Sequence, residues 1–111
     1  MVTAGGNDVE RFHVMFFDAR GTYLGDDAVG QGRAGGLIVR QRMLFERALA
    51  FGASGIVIAH NHPSGLCRPS QKDIEATRRL NAVAQALDIQ LLDHLIFTVH
   101  AVYSMRAGRD L

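Results

Sequence analysis

Gly55-Ile56-Val57-Ile58-Ala59-His60-Asn61-His62-Pro63 is the stretch that decides how this chain is read. Its first five residues are apolar or glycine and rich in β-branched side chains, as expected of a short central strand covered on both sides. Two imidazoles leave the end of that strand, two positions apart. In an extended segment residues i and i+2 project to the same side, so His60 and His62 can both turn inward while Asn61 faces away. Pro63 then stops the strand.

Downstream, Ser70 to Leu87 carries Ile74, Thr77, Leu80, Ala84 and Leu87 on one stripe at helical spacing. Ser70 and Asp73 form an S-x-x-D start resembling a capping box. A carboxylate in that first turn can swing toward the two imidazoles. The outcome is the nitrogen, nitrogen, oxygen set that catalytic zinc uses with water in its fourth position. The bland alternative makes His60 and His62 loop imidazoles bonded to backbone and Asp73 a helix cap alone. The Pro after the second His, the Ser three residues before the Asp and a glutamate opening the first strand favour the metal reading.

Upstream, Leu37, Leu44, Phe45, Ala48 and Leu49 recur at helical spacing, which predicts a helix over 37–51 stopped by Gly52. Residues 30–36 (GQGRAGG) read as a flexible connection into it. Phe12 to Phe17 reads as a strand ending near Asp18, Arg20-Gly21 as a turn, and residues 22–29 as its hairpin partner. Residues 1–8 are small and polar and are expected to be mobile. Residues 89–99 and 101–104 read as two closing strands. The order β-β-α-β-α-β-β points to a mixed sheet with helices packed on it, in either three or two layers.

A chain of 111 residues is one domain's worth, enough to bury roughly two thirds of the surface its unfolded form exposes. Twelve Lys and Arg against eleven Asp and Glu give a net charge of +1, which is not the balance of a dedicated nucleic-acid binder. The arginines at 40, 42, 47, 78 and 79 read as a solvated helix face. Cys67 is the only cysteine, which excludes an intramolecular disulfide, and no basic and apolar leader opens the chain. The expected location is cytoplasmic. The longest apolar run, residues 56–59, is far short of the roughly 20 needed to cross a bilayer, so no membrane role is expected.

The pattern H-N-H-P-S-G-x3-P-S-x2-D resembles the JAMM signature of the JAB/MPN zinc metalloproteases, and specifically the RadC-like branch. The likeness spans almost the whole chain. Glu10-Arg11-Phe12 with Asp18 matches the family's opening, Ala48-Leu49 its helix, and Asp93-His94-Leu95-Ile96 with Ser104 its close. The resemblance implies a three-layer α/β/α, cytidine-deaminase-like domain over residues 9–111, with one zinc ion held by His60, His62 and Asp73. It further implies Glu10 as general acid/base and Ser70 as a donor to the developing oxyanion. By residue alone Glu10 reads equally as an exposed strand end. Ser70 can be cap and donor at once.

Departures lie near the first helix, where Gln41-Arg42-Met43 stands for the family's P-R-E and Gly32-Arg33 for its G-T. They leave the proposed ligands untouched. The implied activity is hydrolysis of an amide bond in a peptide or isopeptide by a zinc-activated water. The RadC likeness also suggests a DNA-repair or DNA-associated role, which is weakened because no helix-hairpin-helix segment precedes the domain here. A non-catalytic MPN interaction module is a further alternative, although such domains have generally lost a ligand or the glutamate. Homo-oligomerisation is left open. Cys67 reads as an ordinary loop thiol, His13 and His100 as non-ligand residues. Asp93-His94 has two readings, simple strand pairing or a hydrogen bond to a ligand imidazole.

Overall fold

The computed structural model describes residues 9–33 and 38–111. In chain order the elements are β1 (Val9–Phe17), β2 (Tyr23–Arg33), β3 (Ile38–Val39), α1 (Gln41–Phe51), β4 (Gly55–Asn61), α2 (Gln71–Ala86), β5 (Gln90–Phe97) and β6 (Val102–Ser104). The six strands make one sheet in the order β3-β2-β1-β4-β5-β6. β4 and β5 are parallel and every other neighbouring pair is antiparallel. A parallel pair needs a crossover, and α2 supplies it. Its N-terminus therefore starts from the carboxyl end of β4, where His60 and His62 lie.

Alternation along β1 assigns the faces. Phe12, Val14 and Phe16 are buried, and across the antiparallel register they oppose His60, Ile58 and Ile56 of β4. Both helices lean on this one face. From α1, Phe51 stacks on Phe16 and lies over Gly25, where a Cβ would come within 2.7 Å of its ring. From α2, the Thr77 hydroxyl meets the ring of His94, the β5 neighbour of Ile58. Leu44, Phe45 and Ala48 of α1 and Leu80 and Ala84 of α2 join the same apolar cluster. On the other face Met15, Phe17, Val57 and Ala59 are only half-buried.

The mixed sheet flanked by two helices is the α/β domain that the sequence predicts. Among the described residues both helices make their core contacts with the face of the sheet that carries Phe12, Val14 and Phe16. Correspondingly β4 is central in the sheet but well covered on one side only.

Two boundaries move and one side chain changes face. The helix expected over 37–51 begins at Gln41, because Ile38 and Val39 pair with Gln31 and Gly30 as a short edge strand. Pairing with β1 as far as Val9–Arg33 carries β2 to Arg33, so residues 30–33 belong to a strand and not to a flexible connection. Leu49, assigned to the buried stripe, is 58% exposed, whereas Leu44, Phe45 and Ala48 carry the contact. α2 agrees with expectation. Its N-cap is Ser70, both arms of the capping box with Asp73 are formed, and Gly52 ends α1 in the left-handed conformation expected of it. Leu37, residues 34–36 and the segment 1–8 lie outside the described residues. No helix among the described residues is long and apolar enough to cross a membrane.

One-sided cover has a measurable consequence. Ile58→Ala should cost about 2–5 kcal/mol, whereas Val57→Ala, one residue along on the open face, should cost about 1 kcal/mol. Paired denaturant titrations check this, and equal losses would mean that both faces are buried.

Candidate metal centre

Strand order brings the site together. Because β1 runs antiparallel to β4, the beginning of β1 lies beside the end of β4, and Glu10 reaches His60 across a gap of fifty positions in the chain. Glu10 shares the alternation of Phe12, Val14 and Phe16, so its carboxylate points to the helix-covered face. His62 lies one residue past β4, but its N–H still bonds the Phe97 carbonyl at 2.9 Å, which prolongs the β4–β5 ladder and aims its ring inward. α2 then supplies Asp73 from its first turn.

Glu10, His60, His62 and Asp73 each offer one ligand atom, and these four atoms lie within 4.8 Å of one another. His60 Nε2 is 2.8 Å from Glu10 Oε1 and 3.9 Å from Asp73 Oδ1, and His62 Nε2 is 3.1 Å from Asp73 Oδ2. The two imidazole rings meet edge to face at 4.6 Å. Phe12 stacks on His60 with centroids 5.0 Å apart, closing one side with an apolar wall.

Donor chemistry tests whether a metal suits this set. His62 Nδ1 lies 2.7 Å from the Leu66 carbonyl, which can only accept, so Nδ1 carries the proton and Nε2 presents a lone pair. That lone pair faces the Asp73 carboxylate. Two electron-rich atoms this close repel unless a cation, either a proton or a metal ion, lies with them. The residues present therefore fit a zinc ion held by His60, His62 and Asp73.

Charges follow the same logic. Burial raises the Asp73 carboxyl, but the His62 ring, the Ser70 N–H, the charge of His60 and the Ser70 hydroxyl outweigh it and hold Asp73 well below the usual carboxylate range. The hydrogen bond to Asp73 raises His62 against its burial. Burial lowers His60, despite the opposing pull of Glu10 and Asp73. Behind it His94 is pushed down to about 3 by burial, then by the neighbouring His60.

Each residue singled out in the sequence has a definite place. Ser70 sits on the cavity wall, where its Oγ accepts from the Asp73 N–H at 3.0 Å and its own N–H donates to Asp73 Oδ2 at 2.8 Å. His94 lies against the outer nitrogen of His60 at 3.2 Å. Asp93 turns elsewhere, accepting from the Ser104 hydroxyl at 2.6 Å and the Arg106 N–H at 3.0 Å. Cys67 is outside the cluster with its sulfur 4.0 Å from the Thr98 hydroxyl, and His13 pairs with Asp26. Arg79, read as a solvated residue, lines a cavity of about 840 Å³ in front of the site together with Arg68 and Lys72.

Asn61 is the residue that the sequence reading passed over. Its side chain faces away from the imidazoles, as expected, and spends itself on β1. Its Oδ1 accepts the Arg11 N–H at 2.6 Å and its Nδ2 donates to the Val9 carbonyl at 3.2 Å. Backbone pairing of β1 with β4 begins only at Phe12–His60, so Asn61 clamps the two residues that flank Glu10. A lone Asn between two histidines carries no sequence signal for that task.

A mixed α/β domain with two imidazoles, a capping aspartate and a strand glutamate around one point defines a candidate mononuclear metal protein. Comparison with known proteins gives that class its family. The chain matches the RadC-like JAB domain over residues 1–110 and belongs to that family. It is 38% identical over 104 residues to a UPF0758 protein of Finegoldia magna, covering 94% of this chain and 47% of that one. Over 105 residues it is 39% identical to a UPF0758 protein of Paraburkholderia phytofirmans, covering 94% of this chain and 40% of the relative. A UPF0758 protein of Trichormus variabilis is 45% identical over 87 residues, covering 78% of this chain and 36% of the relative. The chain thus spans less than half the length of these relatives, and their names assign no activity.

Two outcomes test this geometry without a substrate. Asn61→Ala should speed hydrogen exchange of the Arg11 amide by tenfold or more while the Val14 amide stays protected. Unchanged Arg11 protection would remove Asn61 from the positioning of Glu10. For the metal-free protein, His94 has a folded pKa of about 3 against 6.5 in its ordinary state, so below pH 6.5 the unfolded chain binds a proton that the folded one refuses. Stability should fall as pH drops from about 6.5 toward 3, with His94 contributing up to about 1.4 kcal/mol per pH unit. His94→Gln should flatten that slope in urea titrations across the window.

Proposed function

We propose that this domain is a zinc-dependent metallopeptidase or isopeptidase of the JAMM type, hydrolysing an amide bond. The observation that carries the reading is the cluster itself: inward-facing imidazole nitrogens at 2.8 and 3.1 Å from carboxylate oxygens, at the wall of an open cavity. Family membership supports it. When bound, zinc would supply a water acidified to a pKa of about 7 and a centre that polarises the carbonyl.

The chain's own residues account for the remaining work. His60, His62 and Asp73 offer three ligands and leave one position for water or substrate. Glu10, at the cavity wall with Oε1 2.8 Å from His60 Nε2, takes the proton from water and passes it to the leaving nitrogen. Ser70 accepts the Asp73 N–H at its oxygen, and its O–H, which favours the ionised Asp73 in the free site, turns to donate to the carbonyl oxygen as negative charge develops there. Phe12 excludes water from one side. Arg68, Lys72 and Arg79 at the cavity favour a peptide that presents acidic side chains or a free carboxylate near the scissile bond.

Metal analysis paired with a peptide-library digest tests the reading. The purified protein should hold one zinc per chain, lost in His62→Ala and Asp73→Ala, and a chelator should abolish cleavage. Glu10→Gln should keep its zinc while turnover falls about 10²- to 10⁴-fold, a barrier increase of about 3–5 kcal/mol. Zinc lost together with Glu10 would make that residue a ligand, and unchanged turnover would remove it from the proton path.

A further inference from the structure

Behind the site, a buried chain of polar groups runs from α2 through β5 to β4, and its far end decides the direction of every proton along it. The Thr77 hydroxyl is 2.6 Å from the Asp73 backbone carbonyl, one helical turn earlier, and 2.7 Å from His94 Nδ1. A carbonyl oxygen can only accept, so the single hydroxyl proton of Thr77 points to Asp73. The thioether of Met105, 3.8 Å from the same oxygen, is too weak and too distant an acceptor to compete. Thr77 Oγ1 must then accept from His94, which places the His94 proton on Nδ1.

From there the order propagates. With its proton on Nδ1, neutral His94 presents a lone pair at Nε2, 3.2 Å from His60 Nδ1. His60 must donate to it from Nδ1, which leaves Nε2 as the nitrogen that faces Glu10 and Asp73, where a metal ion would replace the proton shared with Glu10 Oε1 at 2.8 Å. A cationic His94 would point an N–H at His60 instead and force the opposite tautomer. Burial opposes that charge, since Thr77 is wholly enclosed and His94 is 1% exposed.

We infer that Thr77 and His94 are positioning residues that hold a proton on His60 Nδ1, so that Nε2, 2.8 Å from Glu10 Oε1, is the nitrogen turned to the metal position. The same Asp73 whose side chain faces the centre anchors the chain through its backbone carbonyl, so helix start, ligand and tautomer are fixed together. His62 reaches the same tautomer by a shorter route, its single bond to the Leu66 carbonyl. The inference takes its purpose from the metal reading above, but its readout needs no peptidase activity.

Nitrogen-15 NMR of the histidine rings in the metal-free full chain near neutral pH is the direct test. His60 should show a protonated Nδ1. Thr77→Val should blur or reverse that assignment, whereas Thr77→Ser should preserve it. Chelator competition should show zinc affinity falling about 10- to 100-fold in His94→Leu, with much of it restored in His94→Gln, whose Oε1 can accept in place of Nε2. A bare Nδ1 on His60 in the metal-free protein would overturn the inference. So would wild-type zinc affinity in a folded His94→Leu variant. If His94→Leu does not fold, the wild-type tautomer and the contrast between the two Thr77 variants decide. Ordered tautomers in a protein that cleaves nothing would sink the peptidase reading and leave this one standing.

Discussion

The register of β1 against β4, with Phe12 opposite His60, is the constraint on which the site depends. Side chains alternate faces along a strand, so a slip of one residue would carry Glu10 to the open side of the sheet and bring Arg11 in its place. The core forbids that slip, because it would also expose Phe12, Val14 and Phe16, all buried against the helices. Packing energy thereby fixes a carboxylate that makes no apolar contact of its own. Asn61 finishes the task at the strand's frayed end, where the ladder of β1 with β4 has stopped.

The second constraint is electrostatic. Two carboxylates and two imidazoles share one end of the sheet, and the outer nitrogen of His62 is committed to a carbonyl, so its inner nitrogen faces Asp73 as a lone pair. The capping box serves both ends of this arrangement. Ser70 neutralises part of the Asp73 charge through its backbone N–H, and the helix N-terminus contributes favourable partial positive charge. A carboxylate so stabilised stays ionised well into acid, which suits a ligand and not a general acid. Glu10 lies outside that network of backbone donors, which supports the proton-moving role proposed for it.

Much of this was legible in the sequence because it rests on local rules. The i, i+2 projection of His60 and His62, the S-x-x-D helix start and the β-branched run before them each need only a few neighbouring residues. What the sequence obscured was set by distant pairing. Ile38 and Val39 became a strand because β2 offered them an edge, although Leu37 and Leu44 continue a helical period. Leu49 sits on that period too, yet it faces solvent, since Phe51 reaches back over Gly25 and sets the roll of α1. The cover of β4 was equally hidden: the strand is apolar enough for cover on both faces, and only the contacts show both helices on one. Asn61 was illegible because its partners are backbone atoms of a strand fifty residues away.

The distribution of buried polarity separates scaffold from site. Far from the cluster the core is apolar, with Phe16, Leu44, Ala48, Ile56 and Leu91 almost wholly enclosed. The buried polar residues His60, Asn61, Asp73, Thr77 and His94 are all gathered at the carboxyl end of β4 and the strands and helix beside it. Replaced together by apolar side chains of similar volume they would cost little, since a satisfied buried hydrogen bond is worth only about 1 kcal/mol net, whereas replacing one alone leaves its partner unsatisfied at a greater cost. Among the described residues no buried side-chain polar atom lacks a partner, so the network is complete. A small domain gains little stability from such a network, and local rules of core packing would not select it. Its order is what it contributes: the carbonyls of Asp73 and Leu66, which can only accept, end the two chains of hydrogen bonds, and Nε2 of both His60 and His62 is turned to the same point.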